Sequence, residues 1–201
     1  HRRNAVEYGE SLVLVTDHDL ESLQEMLPVL EVVARDGRPC VIVSEEIGGE
    51  LLASLIINRL RNGMKIAAVK APEYGEERRA ILSDIALTTG ATFISRDSGI
   101  RLKDIKLEHL GTCKSVEILQ GRSTFVGGAT NFEELDTLIE TLKEEVSNTD
   151  DLHQAEKIQN RITRLASGVA VLQVGGATEV EVEEKKHRFE DALEAVRSAQ
   201  E

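Results

Sequence analysis

Apolar positions along most of this chain fall in short blocks that switch between a continuous run and a helical period. Ser11-Leu12-Val13-Leu14-Val15-Thr16 is an unbroken run of strand-forming residues, and Asp17 after it can cap a helix carrying Leu20, Leu23, Met26-Leu27, Leu30 and Val33-Ala34. Gly37 closes that helix, with Pro39 beyond it. The same alternation predicts a strand over Cys40 to Ser44, a helix from Glu50 to Arg61, a strand over Lys65 to Val69 and a helix from Glu76 to Thr89. Strands and helices alternating at this spacing imply parallel βαβ units.

After residue 90 the pattern changes. Thr92 to Ser95 predicts a short strand, and Ser115 to Leu119 with Ser123 to Val126 predict a hairpin about Gly121. Helical periods return from Asn131 to Ser147 and from Asp150 to Leu165, the second stopped by Gly168. Val169 to Val174 reads as a strand, Gly175-Gly176 as a turn, Glu179 to Glu183 as an alternating strand, and Glu184 to Ala199 as a helix. The section from about Ala170 finds no partner in the chain for all its apolar surface, as a piece of another domain would.

The helix from Glu50 carries more apolar side chains than one face is expected to absorb. Leu51, Leu55 and Leu60 cannot share a narrow stripe with Leu52, Ile56 and Ile57, so one set is expected near the surface. Exposed apolar helix faces mark binding sites, whereas a helix buried on both sides in a stack of layers would need no such role. Leu23, Leu27 and Leu30 form a second ridge, and two such helices side by side would make a groove for an apolar peptide, with Leu52 and Ile56 facing outward.

Composition narrows the options without settling them. A chain of 201 residues can bury one good core plus a smaller appendage, and two tyrosines and four phenylalanines leave that core aliphatic. A formal net charge of -12 argues against a sequence-independent grip on nucleic acid, and basic pairs such as Arg78-Arg79 and Lys185-Lys186 are flanked by acids. No apolar run reaches the roughly 20 residues of a membrane span, and His1-Arg2-Arg3-Asn4 is not the start of a signal peptide, so a cytoplasmic protein is expected. Cys40 and Cys113 lack ligand or framework spacing and are expected to be small buried hydrophobes; with five scattered histidines, no metal is expected.

Catalytic signatures are missing. Neither GxGxxG nor GxxxxGK[ST] occurs, and the Gly48-Gly49 turn before a helix is flanked by Glu46 and Glu50. Gly127-Gly128-Ala129-Thr130 and Gly175-Gly176-Ala177-Thr178 share a tetrapeptide in different surroundings. No Ser/His/Asp or Cys/His arrangement has a usable spacing, and the carboxylate pairs Glu45-Glu46 and Glu76-Glu77 are consecutive and solvated. A self-contained active site is therefore not expected. Three classes remain: a polypeptide-binding module, a small α/β enzyme or ligand-binding domain with its pocket near Ser44 to Gly48 and Val69 to Pro72, and an oligomerisation module whose apolar helix is an interface.

Several segments resemble one family: Glu25-Met26-Leu27-Pro28-Val29-Leu30-Glu31, Gly49 to Asn58, Lys65 to Pro72, Glu77 to Ala86, Ala166 to Val171 and Val174 to Glu181. In these the chain resembles the group I chaperonins, the GroEL-like family, collinearly over nearly its whole length. The resemblance implies an α/β fold, an apical-domain-like layered sheet with flanking helices over residues 1–169, then a small α+β intermediate-domain segment over 170–201. The equatorial domain, which holds the family's ATP pocket and most ring contacts, is expected to lie outside this chain. No cofactor is then expected here, and ATP and Mg²⁺ belong to the complete subunit.

By position, the resemblance assigns binding of non-native polypeptides and of the co-chaperonin lid's mobile loop to Leu27, Leu30, Leu52, Ile56, Ile57 and Asn58. Asp191 matches the carboxylate that serves ATP hydrolysis in a complete subunit, and Glu179 an acid paired with a neighbouring subunit in the ring. The chain by itself is thus expected not to be an enzyme, and neither nucleic acid nor membrane is expected among its partners. Three departures stand out: His1-Arg2-Arg3-Asn4 in place of the aromatic loop that completes the client face, Gly48 where an acid is common, and Glu73-Tyr74-Gly75 for Gly-Phe-Gly. They suggest a specialised paralogue, or an organellar or viral version.

Overall fold

Every residue of the strand Ser11–Thr16 is buried, and so is every residue of Cys40–Ser44, because helices or a second sheet cover both faces of the sheet they build. The computed structural model describes residues 5–173, except the side chains of Ile56, residues 58–62 and Gln173. The strands are β1 (Ala5–Tyr8), β2 (Ser11–Thr16), β3 (Cys40–Ser44), β4 (Ile66–Lys70), β5 (Phe93–Ile94), β6 (Gly111–Cys113), β7 (Ser115–Leu119), β8 (Arg122–Val126) and β9 (Val169–Gln173). The α-helices are α1 (Leu23–Asp36), α2 (Gly49–Asn62), α3 (Gly75–Thr89), α4 (Phe132–Asn148) and α5 (Leu152–Ala166), and three short 3-10 turns lie between β5 and β6.

The central sheet has the order β4-β3-β2-β5, all parallel, as the alternating pattern predicts. Strand β6 runs antiparallel to the first half of β2, on the edge whose second half β5 occupies. Alternate residues serve two cores. Leu12, Leu14, Cys40, Ile42 and Ile66 meet α1 and α2 on one face, while Val13, Val15, Val41, Val43, Ala67 and Val69 meet α3 on the other.

A second, antiparallel sheet, β1-β7-β8-β9, closes that other face with Val6, Tyr8, Val116, Ile118, Phe125 and Leu172. Its β7–β8 hairpin turns at Gln120-Gly121, with Leu119 opposite Arg122 and Gly121 at φ +86°. The domain boundary expected at 169/170 falls inside β9, which pairs residue by residue with β8. The strand and helix expected beyond Glu179 lie outside the described residues.

Helices α4 and α5 form a hairpin with its own small core of Leu135, Leu142, Ile158, Ile162 and Leu165. It is tied to α3 by a two-pronged pair, Arg161 Nε and Nη2 donating to the Asp84 carboxylate at 2.8 and 2.7 Å. A more exposed pair joins Lys157 to Glu77 at 2.8 Å, and this bond holds the Glu77 carboxyl below its ordinary value. Gly128 explains the first of the two shared tetrapeptides: a Cβ there would collide with the Thr88 carbonyl, which also accepts from Thr130 Oγ1 at 2.8 Å. The second tetrapeptide lies outside the described residues.

Candidate functional site

Helix α1 begins at Leu23, not after Asp17. Ser22 is the N-cap, its side chain accepting from the Glu25 amide at 3.4 Å, and the helix ends at Gly37, whose N–H donates to Val33 O at 3.0 Å. Leu20, expected inside the helix, instead bridges to Ile47. Met26, Val29, Leu30 and Val33 point into the core. Leu23, Leu30, Ala34 and Leu27 then fan out over an arc of about 60° on one flank, the flank that right-handed crossovers turn toward α2. Burial falls along that arc: Leu30 is 6% exposed, Leu23 is half-buried, and Leu27 is 43% exposed.

The expected outward aim of Leu52 is corrected, and Leu30, assigned to the same groove by the resemblance, is buried as well. Leu30 lies close in angle to Met26 and joins the core cluster. On α2, Leu51 and Leu55 are 0% exposed and Leu52 is 1% exposed. The three occupy an arc of about 100°, the width of an ordinary core-facing stripe, so a single buried face takes all of them. Ile57, across the helix, is half-buried, as are Ala53 and Ser54. The side chains of Ile56 and Asn58 lie outside the described residues, as do Glu179 and Asp191 entirely. What α1 offers to solvent on this flank is thus a shallow strip, led by Leu27 with Leu23 and Ala34 beside it, and α2 adds half-buried Ile57 on the side away from its core stripe.

The two helices start in contact. Gly48 N–H donates to Leu20 O at 2.7 Å, and a Cβ on Gly48 would lie 3.3 Å from Glu21 Cα. Glu25 and Glu50 sit in the first turns of α1 and α2, where carboxylates are favoured by the helix dipole.

A different arrangement fills the carboxyl ends of the parallel strands, where an α/β enzyme would hold its ligand. The order of the sheet reverses between β2 and β5, and Arg96 closes that crevice. Its Nε and Nη2 donate to Asp17 O at 3.1 and 2.9 Å, and its backbone N–H to Asp17 Oδ1 at 2.7 Å. The guanidinium also lies 3.5 Å from carboxylate oxygens of Asp19 and Glu45. Arg79 joins from α3, pairing with Asp17 and Asp97 at 3.5 and 3.3 Å and lying over the Phe93 ring. Next to them, Lys70 faces Glu46 at 3.5 Å. The crevice is occupied by the chain's own ion pairs. Sequence inspection misses this plug because its partners are distant along the chain, and Asp17 reads locally as a helix cap.

Neither cysteine is set up for chemistry. Burial pushes the Cys40 thiol up to about 12 and the Cys113 thiol up to about 11, so both stay protonated at neutral pH. Among the described residues no group of three or more His, Cys, Asp or Glu side chains is gathered to hold a metal, and no helix is long and apolar enough to cross a membrane. A depression of about 590 Å³ beside Glu7, Glu117 and Thr124 is an open hollow on the outer face of the antiparallel sheet.

A family model for the TCP-1/cpn60 chaperonins matches residues 7–201, nearly the full length of the sequence. The chain therefore belongs to the TCP-1/cpn60 chaperonin family.

Proposed function

We propose that this chain is the apical part, residues 1–169, and a returning intermediate-domain segment, residues 170–201, of a group I chaperonin subunit, and that it holds non-native polypeptides on the α1–α2 face. The observation that carries this is Leu27: a leucine at 43% exposure on the apolar flank of α1, the flank that also carries half-buried Leu23, is surface the fold leaves uncovered. Apolar contact is non-directional and suits clients of unrelated sequence. Each client side chain buried there contributes roughly 1.5 to 3 kcal/mol before ordering costs, so tight capture needs several such faces acting together in a ring of subunits. The mobile loop of a co-chaperonin lid would compete for the same strip.

In this reading ATP and Mg²⁺ act in a complete subunit, with Asp191 contributing to hydrolysis and Glu179 to contacts between subunits, in the cytoplasm or an organelle of equivalent chemistry. The Gly48-Gly49 turn is poorly suited to a nucleotide, because it is flanked by Glu46 and Glu50, whose charge opposes a phosphate. No hydrolytic step is assigned to residues 5–173. The plugged strand ends weigh against the enzyme alternative. An aggregation assay with a chemically unfolded protein tests the proposal: Leu27→Glu is expected to abolish suppression while its circular dichroism and melting temperature match the unsubstituted chain. Equal suppression by both would remove the client role from this face.

A further inference from the structure

Of the two glycines in the Gly48-Gly49 turn, the fold holds only Gly48 tightly. A Cβ on Gly48 would lie 3.3 Å from Glu21 Cα and 3.4 Å from Leu20 O, whereas a Cβ on Gly49 would meet nothing within 4 Å. Neither glycine has a positive φ, so what opposes a side chain at position 48 is the nearness of another stretch of backbone. That stretch is the lead-in to α1. Leu20 and Ile47 form a parallel bridge beyond the ends of β2 and β3, and Gly48 N–H donates to Leu20 O at 2.7 Å. Just ahead of this joint, Arg96 reaches across the same two lead-ins, 3.5 Å from Asp19 and from Glu45. Helix α2 starts at Gly49, and α1 starts at half-buried Leu23, two residues after Glu21, with Leu27 one turn further on. Leu20, Met26, Leu51 and Leu55 share one core cluster, with Leu23 and Ile47 packed against it, so a displacement at the joint carries both helices with it.

From this close approach we infer that Gly48 is a positioning residue for the α1–α2 face: by lacking a Cβ it lets the two helix starts touch, and so limits the size of the client side chains that lodge against Leu23 and Leu27. The inference rests on the proposed client role of this face and deepens it. A Cβ at position 48 pushes the Leu20–Glu21 backbone back by a few tenths of an ångström, which parts α1 from α2 at the end where Leu23 stands. Packed side chains register displacements of that size. The unsubstituted chain therefore favours valine and leucine over phenylalanine as client anchors, and Gly48→Ala relaxes that preference without altering any apolar residue of the strip.

Three fluorescein-labelled peptides test this, identical except at two anchor positions that hold valine, leucine or phenylalanine. Fluorescence anisotropy on the intact chain gives an affinity for each. In Gly48→Ala the ratio of phenylalanine to valine affinity is expected to rise about threefold or more, as a small change of fit at two apolar anchors would give. Gly49→Ala, in open space, is expected to leave the ratio unchanged. Both variants should melt cooperatively, because neither alanine is asked to adopt a left-handed backbone. The ratio is the readout that a merely structural joint would not move. Equal weakening of all three peptides in Gly48→Ala, with a lowered melting temperature, would make Gly48 a structural joint only and overturn the inference. An unchanged or lowered ratio in Gly48→Ala, or the same rise in Gly49→Ala, with binding lost in Leu27→Glu, would also overturn it and leave the client role standing. Failure of all three peptides to bind, or binding indifferent to Leu27→Glu, would overturn the client role and this inference with it.

Discussion

The α1–α2 face and the carboxyl ends of the parallel strands are two places where a chain of this fold could meet a ligand, and they are built oppositely. At the strand ends, polar groups are drawn inward and consumed: Asp17, 7% exposed, is held by Arg96 and Arg79, and Arg96 in turn reaches Asp19 and Glu45. On α1 and α2, apolar groups are left over, because the inner stripe of each helix satisfies the core and Leu27 lies beyond it. A site where a small substrate would bind has been filled by the chain's own charges. The surface that a soluble domain would be expected to cover is open. That difference is what the proposed polypeptide-holding role of this chaperonin-family chain rests on.

The contrast can be broken most severely at Leu52. It looks exposed by pattern, but it is 1% exposed, so Leu52→Glu places a carboxylate inside the core and is expected to cost several kcal/mol. Chemical denaturation should show a chain largely unfolded or melting far lower; an unchanged transition would mean that α2 presents Leu52 to solvent. Next in size is Arg96→Ala, which removes the plug while the backbone bond from residue 96 to Asp17 remains. A loss of about 1 to 3 kcal/mol is expected, from an acceptor and carboxylates left without their cation, with client capture undiminished. Capture falling in proportion would tie the strand ends to the client site. Smallest in stability is Leu27→Glu, within about 0.5 kcal/mol as a surface substitution, although its effect on capture should be complete.

Much of this architecture is legible from the sequence where local pattern decides it. Continuous apolar runs reveal β2, β3 and β4, since strands covered on both faces need no polar alternation, and Gly121 marks the β7–β8 turn. Strands β1 and β6 are not legible: four and three residues long, they are held by partners far along the chain. The same limit hides the Arg96 plug, which joins residues separated by 79 positions. For the candidate site, the pattern locates helices α1 and α2 and misjudges the depth of their side chains. An arc of about 100° is wide enough to bury Leu51, Leu52 and Leu55 together, and Leu30 sits on the inner side of the arc that ends at Leu27. Side-chain exposure follows from the angle each residue makes with the sheet, which spacing alone does not supply.

The central claim is that clients meet α1 and α2 and not the strand ends. Methyl NMR of the chain, with isoleucine, leucine and valine labelled and a saturating apolar peptide added, tests it most directly. The account predicts shifts at Leu23, Leu27 and Ile57, with Ile94 and Val69 at the strand ends unmoved. Shifts centred on Ile94 and Val69, with Leu27 unchanged, would contradict it.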